Sequence, residues 1–187
     1  MLRRQAGFSL VEVLVAVLVL ALGVLGAARL QLTALRTGQQ SGLHSAAVQL
    51  AAEMADRIRA NDASMRAADA DNPFLGADYD AANGTPLAPA LCYASGCDSE
   101  ALARFDLYEW QRRLQAALPG ARAAICRDGE PWNAAARAFQ WECDDEPDAP
   151  LVIKVGWHAR DPDGSRVLDA NGEAPPAVAL VVSPYVE

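Results

Sequence analysis

The chain has 187 residues, a length that suits one globular domain with a core large enough to fold alone. Its formal net charge is −8, and its Lys and Arg residues form no cluster beyond short pairs. Because proteins that bind nucleic acid need a basic face to meet the phosphates, we expect no nucleic-acid partner.

The N-terminal segment carries the most informative pattern. Arg3 and Arg4 precede an apolar run from Phe8 to Ala28, and these 21 residues compare with the roughly 20 that a helix needs to cross a bilayer. By the positive-inside rule, the basic end stays in the cytoplasm. We therefore expect a single-pass protein of the inner membrane, with the rest of the chain in the periplasm.

Glu12 separates three interpretations of this run. A secretory signal peptide would be cleaved after the run, near Ala28, and a plain membrane anchor would not be processed. Neither explains Glu12, because a carboxylate in an apolar segment costs about 2–3 kcal/mol or more near the bilayer centre and usually has a partner. A simpler structural alternative places Glu12 among the lipid headgroups.

The run Gly7-Phe8-Ser9-Leu10-Val11-Glu12-Val13-Leu14 resembles the class III signal sequence of type IV pilins and pseudopilins. The resemblance implies a leader peptide, residues 1–7, which prepilin peptidase removes between Gly7 and Phe8 before Phe8 is N-methylated. It also implies a role for Glu12 in assembly. A free α-amine is mostly cationic at pH 7, so Glu12 of one subunit can pair with the Phe8 amine of a neighbour and fix the axial register.

A helical pattern continues beyond the apolar run. Apolar residues recur at steps of three or four, at Leu43, Ala47, Leu50, Met54 and Ile58. We predict one helix from Phe8 to about Ala60, roughly 80 Å long at 1.5 Å per residue. Residues 8–28 form its transmembrane or filament-core half, and residues 29–60 form its amphipathic half. Four glycines are candidate soft spots in it: Gly23, Gly26, Gly38 and Gly42.

Residues 61–187 are predicted to form a periplasmic head. Residues 61–97 are rich in Asn, Asp, Pro and Gly and predict an irregular connection, the αβ-loop of a pilin. A second helix is predicted over 99–118, capped by Ser99 and ended by Pro119-Gly120. Strand patterns follow within 121–187, at 123–126, 139–143, 151–158 and 178–182. The fold class is therefore α+β: a type IV pilin fold with a long N-terminal helix, a four-stranded antiparallel sheet and an extra short helix.

The four cysteines all follow the apolar run. An even number of cysteines on the exported side of a membrane favours disulfides over a zinc site. Four cysteines allow three pairings, and we predict Cys92–Cys97 and Cys126–Cys143. The first would close a ring in the loop before the second helix. The second would link two neighbouring strands and lie against the core.

We find no pattern typical of a catalytic centre, and we predict no enzyme activity, no metal and no cofactor. His44 and His158 share no metal-ligand spacing. An acidic run at Asp144, Asp145, Glu146 and Asp148 suits a solvated loop better than a calcium site. An anchored periplasmic enzyme is the competing hypothesis, and it would require a convergent polar cluster.

Two later motifs narrow the resemblance. Residues 53–61 and 105–110, followed by Leu118-Pro119-Gly120, are similar to the PilV group of minor pilins, the type IV pilus modification proteins. The resemblance implies a minor pilin that primes or decorates a type IV pilus, and the alternative is a minor pseudopilin of type II secretion. The implied partners are prepilin peptidase, the inner-membrane assembly platform, other minor pilins, the major pilin and, where one exists, a large tip adhesin. The implied final location is the pilus at the cell surface.

Overall fold

The computed structural model describes residues 9–93 and 96–182. Its helices are α1 (Leu10–Ala60), α2 (Asp62–Arg66) and α3 (Ser99–Ala117), and single turns of 3₁₀ helix lie at Asp69–Asp71 and Ala81–Asn83. Its strands are β1 (Ala77–Asp80), β2 (Arg122–Arg127), β3 (Trp132–Asn133), β4 (Ala138–Phe139), β5 (Leu151–Gly156) and β6 (Pro176–Val182). The predicted fold class is confirmed: a long N-terminal helix accompanies a four-stranded antiparallel sheet and a shorter helix.

Helix α1 has 51 residues and runs without interruption through its four glycines. Its length is about 76 Å at 1.5 Å per residue. Only its C-terminal part is buried, and the buried residues lie three or four apart, as the sequence pattern predicts: Ala47, Leu50, Ala51, Met54, Ala55 and Ile58. Asn61 ends the helix, and its side chain accepts a hydrogen bond from the Ser64 N–H at the start of α2.

The main sheet has the strand order β1-β2-β5-β6, and every neighbouring pair is antiparallel. Residues opposite one another, such as Ile125 and Ile153, face the core that α1 and α3 share with the sheet. The alternate positions, including Cys126, Val152 and Lys154, face the other way because successive side chains of a strand point to opposite faces. We call this second side the outer face of the sheet.

Two parts of the strand prediction are wrong. Strand β1 lies inside residues 61–97, which we expected to be irregular, and it pairs with β2 at the edge of the sheet. It has only four residues, and because two of them are aspartates its composition resembles a loop. Residues 139–143 do not form a strand of the main sheet, since only Ala138–Phe139 is extended and it pairs with β3 in a two-stranded ribbon.

Residues 128–150, which we call the cover segment, lie on the outer face of the sheet. Trp141 donates a hydrogen bond from its Nε1 to the Ala174 carbonyl at 2.9 Å. Its ring packs so closely on Gly156 that a Cβ there would lie 2.8 Å from Trp141 Cζ2. The alternation of Phe139, Trp141 and Cys143 thus reflects side chains that reach toward the sheet from a covering loop.

Helix α3 begins at Ser99, but its N-cap differs from the predicted one. The cap is Asp98, whose carboxylate accepts a hydrogen bond from the Ala101 N–H at 2.8 Å, and Ser99 is the first helical residue rather than the predicted cap. The helix ends at Ala117, and Gly120 follows with φ at 60°. A side chain at Gly120 would collide with the ring of His158, so the close approach of that ring also requires glycine.

Candidate assembly interface

The N-terminal part of α1 projects from the head without a cover. Every residue from Ser9 to Gln39 is exposed, including 15 large apolar side chains between Leu10 and Leu35. The most apolar stretch of this helix is wholly unburied, and the helix is long and apolar enough to cross a membrane. A buried core helix would share the composition but not the exposure. A cleaved signal sequence would share both the apolar composition and the exposure. Only the motif that begins at Gly7 distinguishes a pilin-type anchor from such a signal sequence.

Glu12 lies in the first turn of this exposed helix. A carboxylate there interacts favourably with the positive end of the helix dipole. Within residues 9–93 and 96–182, Glu12 has no ion-pair partner. The first basic residue of the described helix is Arg29, about 25 Å away along the axis at 1.5 Å per residue. Glu12 is therefore an isolated carboxylate on an apolar surface, available to a cation from outside the described part of the chain. Gly7 and Phe8, the predicted processing site, lie outside the described residues.

The head first contacts α1 about eight residues beyond its apolar run. Arg36 donates from Nη1 to the carbonyls of Pro162 and Asp163, at 3.3 and 3.1 Å. Residues 161–164 form a turn that is closed by the hydrogen bond from the Gly164 N–H to the Asp161 carbonyl. Hydrogen bonds from the Ser165 hydroxyl and N–H lower the pKa of Asp163, which keeps this exposed carboxyl charged near Arg36.

The two later sequence motifs meet between α1 and α3. Arg57 binds Glu53 at 2.8 Å on its own helix and Asp106 at 2.5 Å on α3, and Arg113 of α3 also pairs with Glu53. Burial alone would lower the pKa of Arg57, but the hydrogen bonds to Glu53 and Asp106 outweigh it and raise the pKa above its ordinary value. The Glu53–Arg57 pair is therefore one part of a network of ion pairs that joins two helices.

Two further contacts complete this docking of α3 on α1. Trp110 is 1% exposed and donates from its indole N–H to the Leu50 carbonyl at 2.9 Å. Asn61 donates from its side-chain amide to the Ser99 carbonyl at 2.7 Å. Trp110 is thus a core residue. The spacing of Asp106, Trp110 and Leu114 at four-residue steps on α3 could have indicated this face from the sequence.

The structure pairs the same cysteines as the sequence interpretation. Cys92 is joined to Cys97 with their Cα atoms 5.7 Å apart, and Cys126 is joined to Cys143 with 6.3 Å between Cα atoms. The predicted surroundings of the second bridge are wrong. Cys143 belongs to the cover segment rather than to a strand, and Cys126 points to the outer face of the sheet, away from the core against α1.

The other polar candidates are separated from one another. His44 lies on the exposed surface of α1 with its ring centroid 6.1 Å from that of Trp157, whereas His158 follows β5. Asp144 accepts a hydrogen bond from the Gly129 N–H, and its acidic neighbours are exposed. In the described ranges, no group of three or more His, Cys, Asp or Glu side chains is placed to hold a metal ion.

Two family models match the chain. The first, described as the prokaryotic N-terminal methylation motif, covers residues 2–28, and the second, described as type IV pilin Tt1218, covers residues 29–108. The chain is a type IV pilin-like protein. The pilin match begins at Arg29 and ends at Tyr108 inside α3, so it includes the packed part of α1 and strand β1. Comparisons with curated proteins and with solved structures gave no match.

These matches give the pilin-like protein a role in a pilus or pseudopilus. The family is structural rather than enzymatic, and its members interact with other pilus components. The methylation motif and the exposed apolar helix suit a subunit that is anchored in a membrane before it is assembled.

Proposed function

We propose that this type IV pilin-like protein is a minor pilin of the PilV group that takes part in the assembly or priming of a type IV pilus. The observation that carries an assembly function is the exposed apolar half of α1, with Glu12 as its single charged residue between Ser9 and Ala28. Such a surface requires burial, first in a bilayer and then against other apolar helices.

The docking of α3 on α1 supports the assignment to the PilV group. The residues that resemble that group, 53–61 and 105–110, contact each other through Arg57–Asp106. Two motifs that are distant in sequence therefore form one structural unit of the head. A minor pseudopilin of type II secretion shares the leader and the helix and is the alternative that the experiments below distinguish.

Processing of the precursor is the first step of the proposal. Prepilin peptidase in the inner membrane removes residues 1–7 between Gly7 and Phe8, and the new Phe8 amine is methylated. Residues 8–28 then anchor the subunit in the membrane, with residues 29–60 and the head, 61–187, in the periplasm. The subunit passes through the assembly platform to other minor pilins and the major pilin, with a tip adhesin where one exists.

Intact mass of the membrane-extracted protein tests this step. We expect a mass lower by residues 1–7 and higher by one methyl group on Phe8, because the small residue at position 7 and the aromatic residue at position 8 match the processing motif. A matched control is Gly7→Leu, which should retain the leader. Cleavage near Ala28, as by an ordinary signal peptidase, would contradict the pilin assignment.

A deletion strain distinguishes the pilus from the secretion system. We expect loss of the protein to reduce surface pili and to leave secretion of exported enzymes unchanged, and sheared pili should contain the protein at low abundance. Normal pili together with impaired secretion would favour the pseudopilus. We also propose that the protein has no enzyme activity and no cofactor, and that its acidic loop is solvated.

A further inference from the structure

A buried ion pair on the outer face of the sheet has no part in the assembly interface. Lys154 is fully buried, and its Nζ lies 2.5 Å from Oδ2 of Asp128, whose side chain is 2% exposed. Within the described residues, that oxygen accepts no hydrogen bond apart from this ion-pair contact. Because lysine is almost never fully buried without a partner, the position of Lys154 depends on the cover segment that supplies Asp128.

Lys154 also binds the cover segment at a second place, just before Cys143. Its Nζ donates to the Glu142 carbonyl at 2.6 Å and contacts the Trp141 carbonyl at 3.4 Å. Glu142 immediately precedes Cys143, and Asp128 is the second residue after Cys126. One ammonium group therefore binds the chain next to both cysteines of the longer bridge.

The register of the sheet places Lys154 where it can reach both Asp128 and the carbonyls before Cys143. Its neighbours across the sheet are Ala124 on β2 and Ala179 on β6, and their small side chains leave room for the aliphatic stem of the lysine. Cys126 lies opposite Val152 on the same outer face. The lysine head group thus rises from the middle of this face toward the loop that covers it.

We propose that Lys154 is a positioning residue for the Cys126–Cys143 bridge. In the reduced chain it binds Asp128 and the carbonyls before Cys143, and it thereby docks the cover segment with the two thiols close together. Four cysteines allow three pairings, and this bridge joins residues 17 apart in sequence. The Cys92–Cys97 bridge spans a sequence separation of only 5, and neither of its cysteines is among the groups that Lys154 binds in the described part of the chain, so it serves as the internal reference.

The bond forms by thiol–disulfide exchange with an oxidised dithiol, for which glutathione disulfide serves as the probe. The thiolate of one cysteine attacks glutathione disulfide, which forms a mixed disulfide and releases one glutathione thiolate. The thiolate of the second cysteine then attacks the protein sulfur of the mixed disulfide and releases the other glutathione. Two protein thiols lose two electrons and two protons, and glutathione disulfide becomes two glutathione molecules. Lys154 acts on the second attack, because it keeps the two protein sulfurs close.

The test measures the effective concentration of each cysteine pair. The full chain in detergent is equilibrated in glutathione buffers, and alkylation followed by peptide mapping then shows how much of each pair is oxidised. The variant Lys154→Met/Asp128→Leu replaces the ion pair by apolar side chains, so no uncompensated charge is buried. We expect the effective concentration of Cys126–Cys143 to fall by about tenfold or more, since charge-assisted hydrogen bonds hold the docked loop. Cys92–Cys97 should keep its wild-type value.

The control is Arg66→Met/Asp62→Leu, which removes an exposed ion pair from α2 and should change neither cysteine pair. An unchanged Cys126–Cys143 value in the folded Lys154→Met/Asp128→Leu variant would overturn the proposal. So would an equal fall in both cysteine pairs, because it would indicate general loss of structure. If that variant does not fold, Lys154→Gln/Asp128→Asn, which keeps two polar side chains and removes both charges, is judged by the same two values.

Discussion

Arg57 links α1, which extends beyond the head, to α3, which lies within the head. Its guanidinium pairs with Glu53 four residues earlier and with Asp106 on α3, and the side chains of Arg57 and Asp106 are 26% and 14% exposed. The contact with Glu53 follows from helical spacing and is predictable from the sequence. The contact with Asp106 spans 49 residues, and no local pattern of the chain indicates it.

We predict that Asp106→Ala lowers the free energy of unfolding by about 1–3 kcal/mol, because a hydrogen bond to a charged group is lost in a partly buried site. The matched control on the same helix is Glu100→Ala, which removes a pair with Arg104 whose side chains are both more than 60% exposed. That change should cost less than about 1 kcal/mol. Urea unfolding of the full chain in detergent, followed by tryptophan fluorescence, measures both. Equal losses in the two variants would show that the α1–α3 network adds no stability beyond that of a surface pair.

The secondary-structure elements differ in how well the sequence predicts them. Helices α1 and α3 follow from long periodic patterns, and β5 and β6 follow from apolar runs. Strand β1 and the cover segment do not, because their conformations depend on residues distant in sequence. The same holds for the candidate sites. Glu12 and the Cys92–Cys97 pair are inferred from neighbouring residues in the sequence, whereas the Lys154–Asp128 pair becomes visible only after the sheet register is known.

The contact between Asp69 and Arg127 should make the junction of the first 3₁₀ turn with β2 sensitive to pH. Asp69 accepts two hydrogen bonds from Arg127, at 2.6 and 2.7 Å, and these lower the pKa of the Asp69 carboxyl below its ordinary value. In the unfolded chain the pKa of an aspartate is about 3.9. The stabilisation is therefore fully present above that pH, and it is lost as the pH falls through the lower pKa of the folded protein.

We predict that Asp69→Asn lowers the urea midpoint at pH 7 and that the difference from wild type shrinks as the pH falls below the ordinary pKa of aspartate, because the Asp69 carboxyl then becomes protonated in the folded protein. The control at pH 7 is Asp71→Asn, which removes a charge from the same turn and leaves the Arg127 contact in place. The measurement is the midpoint of each variant at pH 7, 5 and 3. A difference between Asp69→Asn and wild type that is constant with pH would contradict the assigned role of the ion pair.

The whole molecule divides along α1 into two surfaces with different requirements. The half from residue 40 onward packs on the sheet and on α3, and one face of it, from Ala47 to Ile58, is buried within the subunit. The half from Ser9 to Gln39 buries nothing within the described chain. Apart from the hydrogen bonds of Arg36 to residues 162 and 163, we therefore expect folding of the head to be independent of the exposed half, whereas the exposed half requires a bilayer or other subunits. Changes in the exposed half should alter assembly and leave folding of the head unaffected.

Glu12 is the sharpest test of this division. We predict that Glu12→Gln reduces incorporation into filaments strongly, because an amide of the same size cannot pair with the cationic amine of a neighbouring subunit. Glu12→Asp keeps the charge on a shorter side chain and should retain part of the incorporation. Both variants should melt like wild type, since Glu12 lies about 50 Å along the helix from Ala47, the first buried residue of α1, at 1.5 Å per residue. Immunoblots of sheared filaments measure incorporation, and circular dichroism of the detergent-extracted protein measures melting. If Glu12→Gln were incorporated as well as wild type, the charge of Glu12 would have no role in assembly. Equal loss in Glu12→Gln and Glu12→Asp would instead show that assembly requires both the charge and the reach of glutamate, because the first variant keeps only the reach and the second keeps only the charge.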